Sequence, residues 1–442
     1  MFTFDGSQTA SYSDDLPDEV DVVIIGGGII GISTAWHLLK AGKKVLVCEK
    51  GRIACEQSSR NWGWVRVTGR DPDEVPIALD SVRNWQEISK EIGEDIGFRQ
   101  KGMIALVETA KEMAGLEKWM DIASSHQMDS YLVNAEQAQE LAPTANGKWK
   151  GGIATPSDGR AEPFLAVPAI AKAAKAKGAY IAEDCAVRVI EKTADSISAV
   201  VTERGTVRSS AVVCAAGAWT NIFLSNLGVD LPQLVVKGTV VRTAATSACI
   251  EGAAGFGELY ARKRTDGGFT LATGQTEHTV GPNSLRYALK FLPSLGSTSD
   301  LKIALGNDVT QHAMLRQRWS GDKPTIFEKH RVLNPKPSAA GLKKIRQQLK
   351  QKMPQLGDVT FEESWAGMID ATPDVVPVMD AIPSIGGLFV ATGFSGHGFG
   401  IGPGAGKVMA QLVLGEKPPY DLTRFRFGRF SDGSKINPGP AI

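Results

Sequence analysis

The sequence predicts an α/β fold in which a Rossmann-like domain is joined to an α+β domain with an antiparallel sheet. Three observations predict it. Residues 21–25 read as a fully buried strand, Ile32, Ala35, Trp36, Leu38 and Leu39 then recur at helical spacing, and residues 45–48 restore a strand, which makes a βαβ unit. Residues 388–414 repeat the order of strand, glycine turn and helix. In two stretches between them, residues 72–149 and 235–356, the pattern turns to amphipathic helices and strand-like pieces with little glycine patterning.

Along the chain, the first of these stretches gives apparent helices at 77–92 and 110–124 around a short strand at 103–107. A helix at 164–177 follows, then strands near 180–190, 197–202 and 211–214, which read as the continuation of the first sheet. The second stretch ends in a basic helix at 339–352, whose lysines from Lys343 to Lys352 read as its wet face. No sequence repeat at a fixed period is visible. The expected division is discontinuous, with 20–71, 150–234 and 357–430 in the nucleotide-binding domain and 72–149 and 235–356 in a substrate domain. A helical insert is expected near 282–335, and loose tails at 1–19 and 431–442.

Composition bounds the function classes. The chain has 442 residues, 43% of them hydrophobic, enough for two or three domains. With 49 Lys+Arg against 48 Asp+Glu, the charge balance favours no polyanionic partner, so nucleic acid is not expected. The five cysteines, Cys48, Cys55, Cys185, Cys214 and Cys249, are scattered without a Cys-x-x-Cys pair and read as reduced core residues of an intracellular protein. The N-terminus is acidic and polar, unlike a secretory signal, and the apolar runs fall short of the roughly twenty residues a membrane span needs. A cytoplasmic location follows as the expectation, with peripheral contact with the inner membrane left open.

The strongest motif is DVVIIGGGIIG, in which Gly26, Gly28 and Gly31 form a G-x-G-x-x-G turn between strand and helix, with Ile29 and Ile30 opening that helix. Side-chain-free turns let backbone N–H groups and the positive helix end approach a pyrophosphate directly. Glu49, at the end of the next strand and followed by Lys50, is placed to accept hydrogen bonds from ribose hydroxyls. The alternative, glycines that merely allow a tight helix–sheet contact, leaves Glu49 unexplained. NAD and FAD share this half. The following loop, with Ser58, Ser59, Arg60, Asn61, Trp62, Gly63 and Trp64, is polar and basic and suits the far end of a longer cofactor. A solvated surface loop would be an odd place for two tryptophans.

With these residues in hand, the chain resembles the D-amino acid oxidase, glycine oxidase and sarcosine oxidase family of flavoproteins, from residue 21 to about 430. The likeness rests on the GGGIIG turn with Glu49 and Lys50, the EQSSRNWG loop, the segment VVCAAGAWT and the closing GLFVATGFSGHGFGIGPGAG. It implies a glutathione-reductase-like FAD domain in which Ala216 and Gly217 contact the cofactor through backbone and Val187 contacts the adenine. It also implies that Gly393, Gly396, His397, Gly398, Phe399 and Gly400 bring a helix start to the flavin ring. Within the family the chain looks most like bacterial L-amino acid deaminases, with YALKFLPSL, HAMLRQRW and FEKHRVL resembling their inserted helical module. Those deaminases carry an N-terminal membrane helix, and this sequence shows none.

Reduced flavin is negatively charged near N1, and the glycines from 396 to 406 can aim N–H groups and a helix end at that charge. His397 lies inside the turn, as a cofactor or substrate contact or as an exposed histidine at a bend. The resemblance places a substrate-carboxylate arginine at Arg262, and a guanidinium fork suits that task. The competing reading puts Arg262 and Arg264 on a solvated strand edge. Arg66, just past the flavin loop, resembles a basic residue near the ring in sarcosine oxidases and could share the work. Phe394 and Trp365 are candidates for an apolar wall.

The sequence lacks the cysteine and histidine that covalently attach flavin in members of that family, so FAD is expected to be dissociable. No metal-ligand cluster and no G-x-S-x-G elbow is present. The C-terminal RFRFGRF reads as an edge strand with one buried face, and His37 as a packed or partly exposed helix residue. The expected activity is oxidation of an amino acid at the carbon bearing nitrogen, with oxygen or a quinone taking the electrons. Oxidation of an N-methyl or cyclic secondary amine is the near alternative, and a flavin-binding subunit or sensor without amine turnover, or an NAD dehydrogenase, are the remoter ones. Substrate side chain, stereochemistry and oligomeric state are left open.

Overall fold

A computed structural model describes residues 7–246, 250–295, 300–306, 308–312 and 318–439. Its first sheet has six strands in the order Val378–Ala381, Leu388–Thr392, Ala211–Cys214, Val22–Ile25, Val45–Cys48 and Tyr180–Ala182. All run parallel except the first, which is antiparallel to its neighbour. Every residue of Val22–Ile25 and Val45–Cys48 is buried. A parallel strand is covered on both faces, which is why these segments are continuous apolar runs rather than alternating ones.

The first helix, Ile29–Lys40, and the closing helix, Gly398–Val413, pack so closely that a Cβ at Gly406 would sit 2.5 Å from the Ser33 side chain. Helix Val75–Ile92 locks against the closing helix through one hydroxyl. Ser81 Oγ donates to the Gly400 carbonyl at 2.8 Å and accepts from the Gly404 N–H at 3.1 Å. It thereby stands in for a helical hydrogen bond in the turn that contains Pro403. Trp85 Nε1 donates to the same Gly400 carbonyl at 3.0 Å.

The second large sheet has nine strands, ordered Phe361–Ala371, Leu234–Thr243, Phe269–Thr279, Leu259–Lys263, Ala253–Phe256, Met103–Val107, Gly151–Thr155 and Tyr131–Val133, with Leu301–Ala304 beside Phe269–Thr279. Strand pairing crosses the expected segment boundaries, because Gly151–Thr155 and Phe361–Ala371 belong to this sheet. Val75–Ile92, placed by sequence with the substrate domain, shares a hydrophobic core with the closing helix.

Three expectations are corrected. Strands Val187–Thr193 and Ser196–Thr202 do not continue the first sheet, but pair antiparallel with each other, and Ser196–Thr202 pairs on its other side with Gly205–Arg208. RFRFGRF is no edge strand. It forms two 3-10 turns, Thr423–Phe425 and Phe427–Phe430, because Arg429 turns inward to Asp374 at 2.8 and 2.9 Å and to the Val376 carbonyl. The described parts of both tails are docked: Ser11 and Tyr12 N–H groups donate to Glu183, and Gly439 N–H donates to the Asp374 carbonyl at 2.8 Å.

In the expected insert, helix Pro282–Leu295 buries Tyr287 and Phe291 and leaves Leu285, Leu289 and Leu292 exposed. Part of HAMLRQRW, residues 313–317, lies outside the described residues, as does Cys249. The other four cysteines are buried and unbridged. Among the described residues no helix is long and apolar enough to cross a membrane.

Candidate active site

The two glycine turns, 370 residues apart in sequence (Gly28 against Gly398), line one cavity. Gly26, Gly28, Ile29, Ile30, Glu49 and Lys50 contribute from the first βαβ unit, Ser58 and Asn61 from the loop after it. Val187, Ala216 and Gly217 come from the middle of the chain, and Gly396, Gly398 and Phe399 from the closing turn.

Local chemistry explains the shape. Gly26 has φ +110°, and a Cβ there would meet the Ala215 carbonyl oxygen at 2.5 Å. Gly31 faces away from the cavity and serves packing, since its Cβ would lie 2.0 Å from the Gly26 carbonyl oxygen. Glu49 is pinned by N–H groups, Gly27 donating to Oε2 at 2.8 Å and Gly51 to Oε1 at 2.7 Å. Burial pushes its pKa up, against the pull of Lys50 and of those two N–H groups. Ser58 Oγ accepts from the Ile29 N–H at 2.9 Å, which joins the flavin loop to the first helix. Neither that helix nor the closing helix has an acidic residue in its first turn. Two uncompensated positive helix ends and one buried carboxylate on a single cavity fit the pyrophosphate, reduced ring and ribose of FAD.

Several expected cofactor ligands are placed elsewhere. Arg60 turns away from the cavity, donating to the Cys55 and Ala366 carbonyls and to Asn334 Oδ1. It ties the flavin loop to the large sheet, and a guanidinium so engaged is not a phosphate ligand. Ser59 is buried, with its hydroxyl on the Glu56 carbonyl. Gly63, at φ +76°, packs against the Ala161 carbonyl and Arg262, and Gly400 against the Trp64 carbonyl. Gly393 donates its N–H to Asp370 at 2.6 Å. Trp62 stacks on Tyr260 at 4.8 Å, with Trp64 edge-on to both, beside the cavity rather than on its wall.

His397 is also corrected. It is neither exposed nor on the cavity wall. Its N–H donates to the Phe394 carbonyl, and its ring is 5% exposed with Nδ1 3.4 Å from Glu74 Oε2. Burial, with Arg70 beside it, lowers its pKa to about 4, so it is a neutral imidazole at neutral pH. The folded value lies below the unfolded one, so the unfolded chain takes up the proton first and stability falls as pH drops from about 6.5 towards 4. His37, also lowered to about 4, acts in the same sense, whereas Glu49, Asp158 and Asp370, with raised pKa values, act in the opposite one. His397→Gln is expected to reduce the loss of stability between pH 7.5 and 5 by roughly 1–2 kcal/mol, measured by urea unfolding at each pH. An unchanged difference would show that His397 does not titrate as a buried group.

Arg262 is the largest departure. It is 1% exposed, with Nη1 2.8 Å from Glu162, Nε on the Trp62 carbonyl and Nη2 on Thr270 Oγ1. All three nitrogens are engaged, so neither the carboxylate ligand nor the solvated edge describes it. Arg264 is likewise buried, on Asp266 and two carbonyls. Arg66 differs. Its Nη1 donates to the Thr68 carbonyl at 2.7 Å, its guanidinium lies 5.4 Å from the Trp64 ring, and it remains partly exposed.

Sequence reasoning missed Asp370, which lines the cavity and accepts from Gln233, Thr392 and the Gly393 N–H. It missed Glu56, which joins Lys50 at 2.8 Å to Trp219 Nε1 at 3.1 Å. Phe394 does line the cavity, while Trp365 is buried with its Nε1 on the Arg60 carbonyl.

Comparison with known proteins agrees with this geometry. The family model for FAD dependent oxidoreductases, DAO, matches residues 21–412. The mitochondrial dimethylglycine dehydrogenase of Mus musculus is 26% identical over 435 residues, 97% of this chain and 46% of that protein, so the chain spans about half of that relative's length. Glycine oxidase of Geobacillus kaustophilus is 26% identical over 92% of this chain and 97% of its own. The structure of L-amino acid deaminase from Proteus myxofaciens in complex with anthranilate superposes with a TM-score of 0.91 at 29% identity, covering 96% of each chain.

Proposed function

The chain belongs to the DAO family of FAD-dependent oxidoreductases, and from that premise we propose that it oxidises an amino acid at the carbon bearing nitrogen. The imine product would hydrolyse to a 2-oxo acid and ammonia. The observation that carries this reading is the match to the Proteus deaminase over 96% of both chains. FAD, once bound, supplies the two-electron acceptor; the protein's task is to hold, orient and exclude water. Glu49, the Ser58 hydroxyl and the Ile30 N–H would hold the ADP half, and the start of the closing helix would face the ring. Arg66 replaces Arg262 as the ligand for the substrate carboxylate, with Trp62, Trp64 and Tyr260 forming the water-excluding wall beside it. No side-chain base is assigned, since His397 is turned to Glu74.

The test is anaerobic mixing of the yellow protein with both enantiomers of each amino acid, followed by reoxidation with air or a quinone. Bleaching of the flavin band identifies a substrate; absence of bleaching with every amine favours a flavin-binding subunit or sensor. Arg66→Gln is expected to raise KM for an amino acid roughly tenfold to hundredfold, the value of a charge-assisted pair, with a smaller change in kcat. An unchanged KM removes Arg66 from the site. Acid precipitation is expected to release all yellow colour into the supernatant, and colour retained in the pellet would mean a covalent flavin.

A second reading, oxidation of an N-methyl amino acid, is favoured by the mitochondrial dehydrogenase that matches 97% of this chain. Formaldehyde in place of ammonia among the products would select it.

A further inference from the structure

Charge is unevenly placed on the cavity wall. Glu49, Lys50, Arg52 and Glu56 come from one stretch that follows strand Val45–Cys48, and Asp370 is the one other charged residue that lines the cavity among the described residues. The first four are engaged locally. Lys50 pairs with Glu56 at 2.8 Å, Arg52 pairs with Asp184 at 2.6 Å, and Glu49 accepts from the Gly27 and Gly51 N–H groups. Asp370 has neutral partners instead. Its Oδ2 accepts from Gln233 Nε2 at 3.2 Å, from Thr392 Oγ1 at 3.0 Å and from the Gly393 N–H at 2.6 Å, and among the described residues it is in no ion pair. Burial pushes its pKa up and those three donors oppose the rise. Donors converging on one oxygen are the surroundings of a carboxylate, which accepts and has no proton to give.

The same residue shapes the closing turn. Its backbone carbonyl accepts from the Ser395 N–H at 2.9 Å, and the turn it holds has φ of +71° at Gly393, +49° at Ser395 and +83° at Gly396. Ser395 is not a glycine, so this conformation is strained and is kept by its surroundings. The turn leads into helix Gly398–Val413, whose start lines the cavity. Gln233 Nε2 and Thr392 Oγ1 also donate to the Gly217 carbonyl, at 3.1 and 3.3 Å, which fixes Asp370 to a further segment of the wall. A positive helix end favours the negative charge of a reduced flavin ring, and a buried carboxylate beside that end opposes it. We infer that Asp370 tunes the flavin, its carboxylate offsetting the closing helix and holding the reduction potential of bound FAD below the value that helix alone would set. This makes the reduced protein a stronger donor to its electron acceptor, and it is independent of which amine is oxidised.

The test is the midpoint potential of the FAD-bound protein, read by anaerobic reduction in equilibrium with a reference dye and with no amine present. Asp370→Asn keeps an oxygen for the Gly393 N–H and removes the charge; Asp370→Ser removes the charge with a smaller side chain. Both are expected to favour the reduced form roughly tenfold to hundredfold, a rise of about 30–60 mV for a two-electron couple. Sulfite, whose addition leaves the ring negatively charged, is the second readout and is expected to bind the neutral variants more tightly by a similar factor. A residue that only shapes the turn would change FAD affinity and leave the potential where it was. An unchanged or lowered potential in the variants that retain FAD therefore overturns the inference, and so does failure of both variants to retain it. No amine enters these measurements, so this inference and the proposed activity fail separately.

Discussion

Replacing Arg262 with alanine is expected to cost about 3–5 kcal/mol of stability and to leave KM for an amino acid close to that of the unmodified enzyme. The guanidinium is the near partner of Glu162, which is 0% exposed and whose other neighbours are Arg160 Nη1 at 3.7 Å and the Thr265 N–H. Removing it leaves a carboxylate in the interior with one poorly placed cation, and deprives the Trp62 carbonyl and Thr270 of donors. The flavin loop is pinned by this contact, since Gly63 packs directly on the Arg262 side chain. Urea unfolding and steady-state kinetics on the same preparation check both halves. Adding Glu162→Gln to Arg262→Ala is expected to recover a large share of the loss, because the buried charge goes with it. A tenfold rise in KM with stability unchanged would return Arg262 to the substrate site.

The error over Arg262 shows where sequence stops being informative. A βαβ unit is a local device: the apolar run Val22–Ile25, the glycine turn and Glu49 follow one another within thirty residues or so, and the fold brings them to the cavity wall as read. The closing turn is legible for the same reason, and the two ends meet at one cavity although nothing local says so. An arginine on a strand carries no such mark. Whether it faces substrate or a buried carboxylate depends on Glu162, a hundred residues earlier, just before helix Pro163–Ala176. His397 reads as a cofactor contact because it sits among glycines that are one, yet Glu74 at the cap of helix Val75–Ile92 takes its ring. Asp370 escapes notice because its partners, Gln233, Thr392 and Gly393, come from three segments. RFRFGRF has the alternation of a strand, but Asp374 draws Arg429 inward and the chain coils instead. In each case a tertiary polar contact outweighs a local pattern, and only the pattern is written in neighbouring residues.

Gly26→Ala is expected to yield a folded but colourless protein. The position combines two demands that alanine cannot meet. Its φ of +110° lies where a side chain is strained, at a cost of about 1–3 kcal/mol, and the added Cβ would approach the Ala215 carbonyl oxygen to 2.5 Å. Relief must come from moving the turn or the strand Ala211–Cys214, and both line up the N–H groups at the start of the first helix, through Gly28 and the Ser58 contact to Ile29. FAD binding then loses its pyrophosphate cradle while the rest of the core, formed by the closing helix and the nine-stranded sheet, stays in place. Gly42→Ala is the control. That glycine also has positive φ, +77°, but sits in the exposed turn after the first helix with nothing within 4 Å of an added Cβ. It should cost about 1 kcal/mol and remain yellow. The ratio of flavin to protein absorbance, with far-UV circular dichroism to confirm folding, separates the two. Equal, full flavin content in both variants would mean that the close approach at Gly26 serves the sheet alone and that the cofactor is held by other contacts.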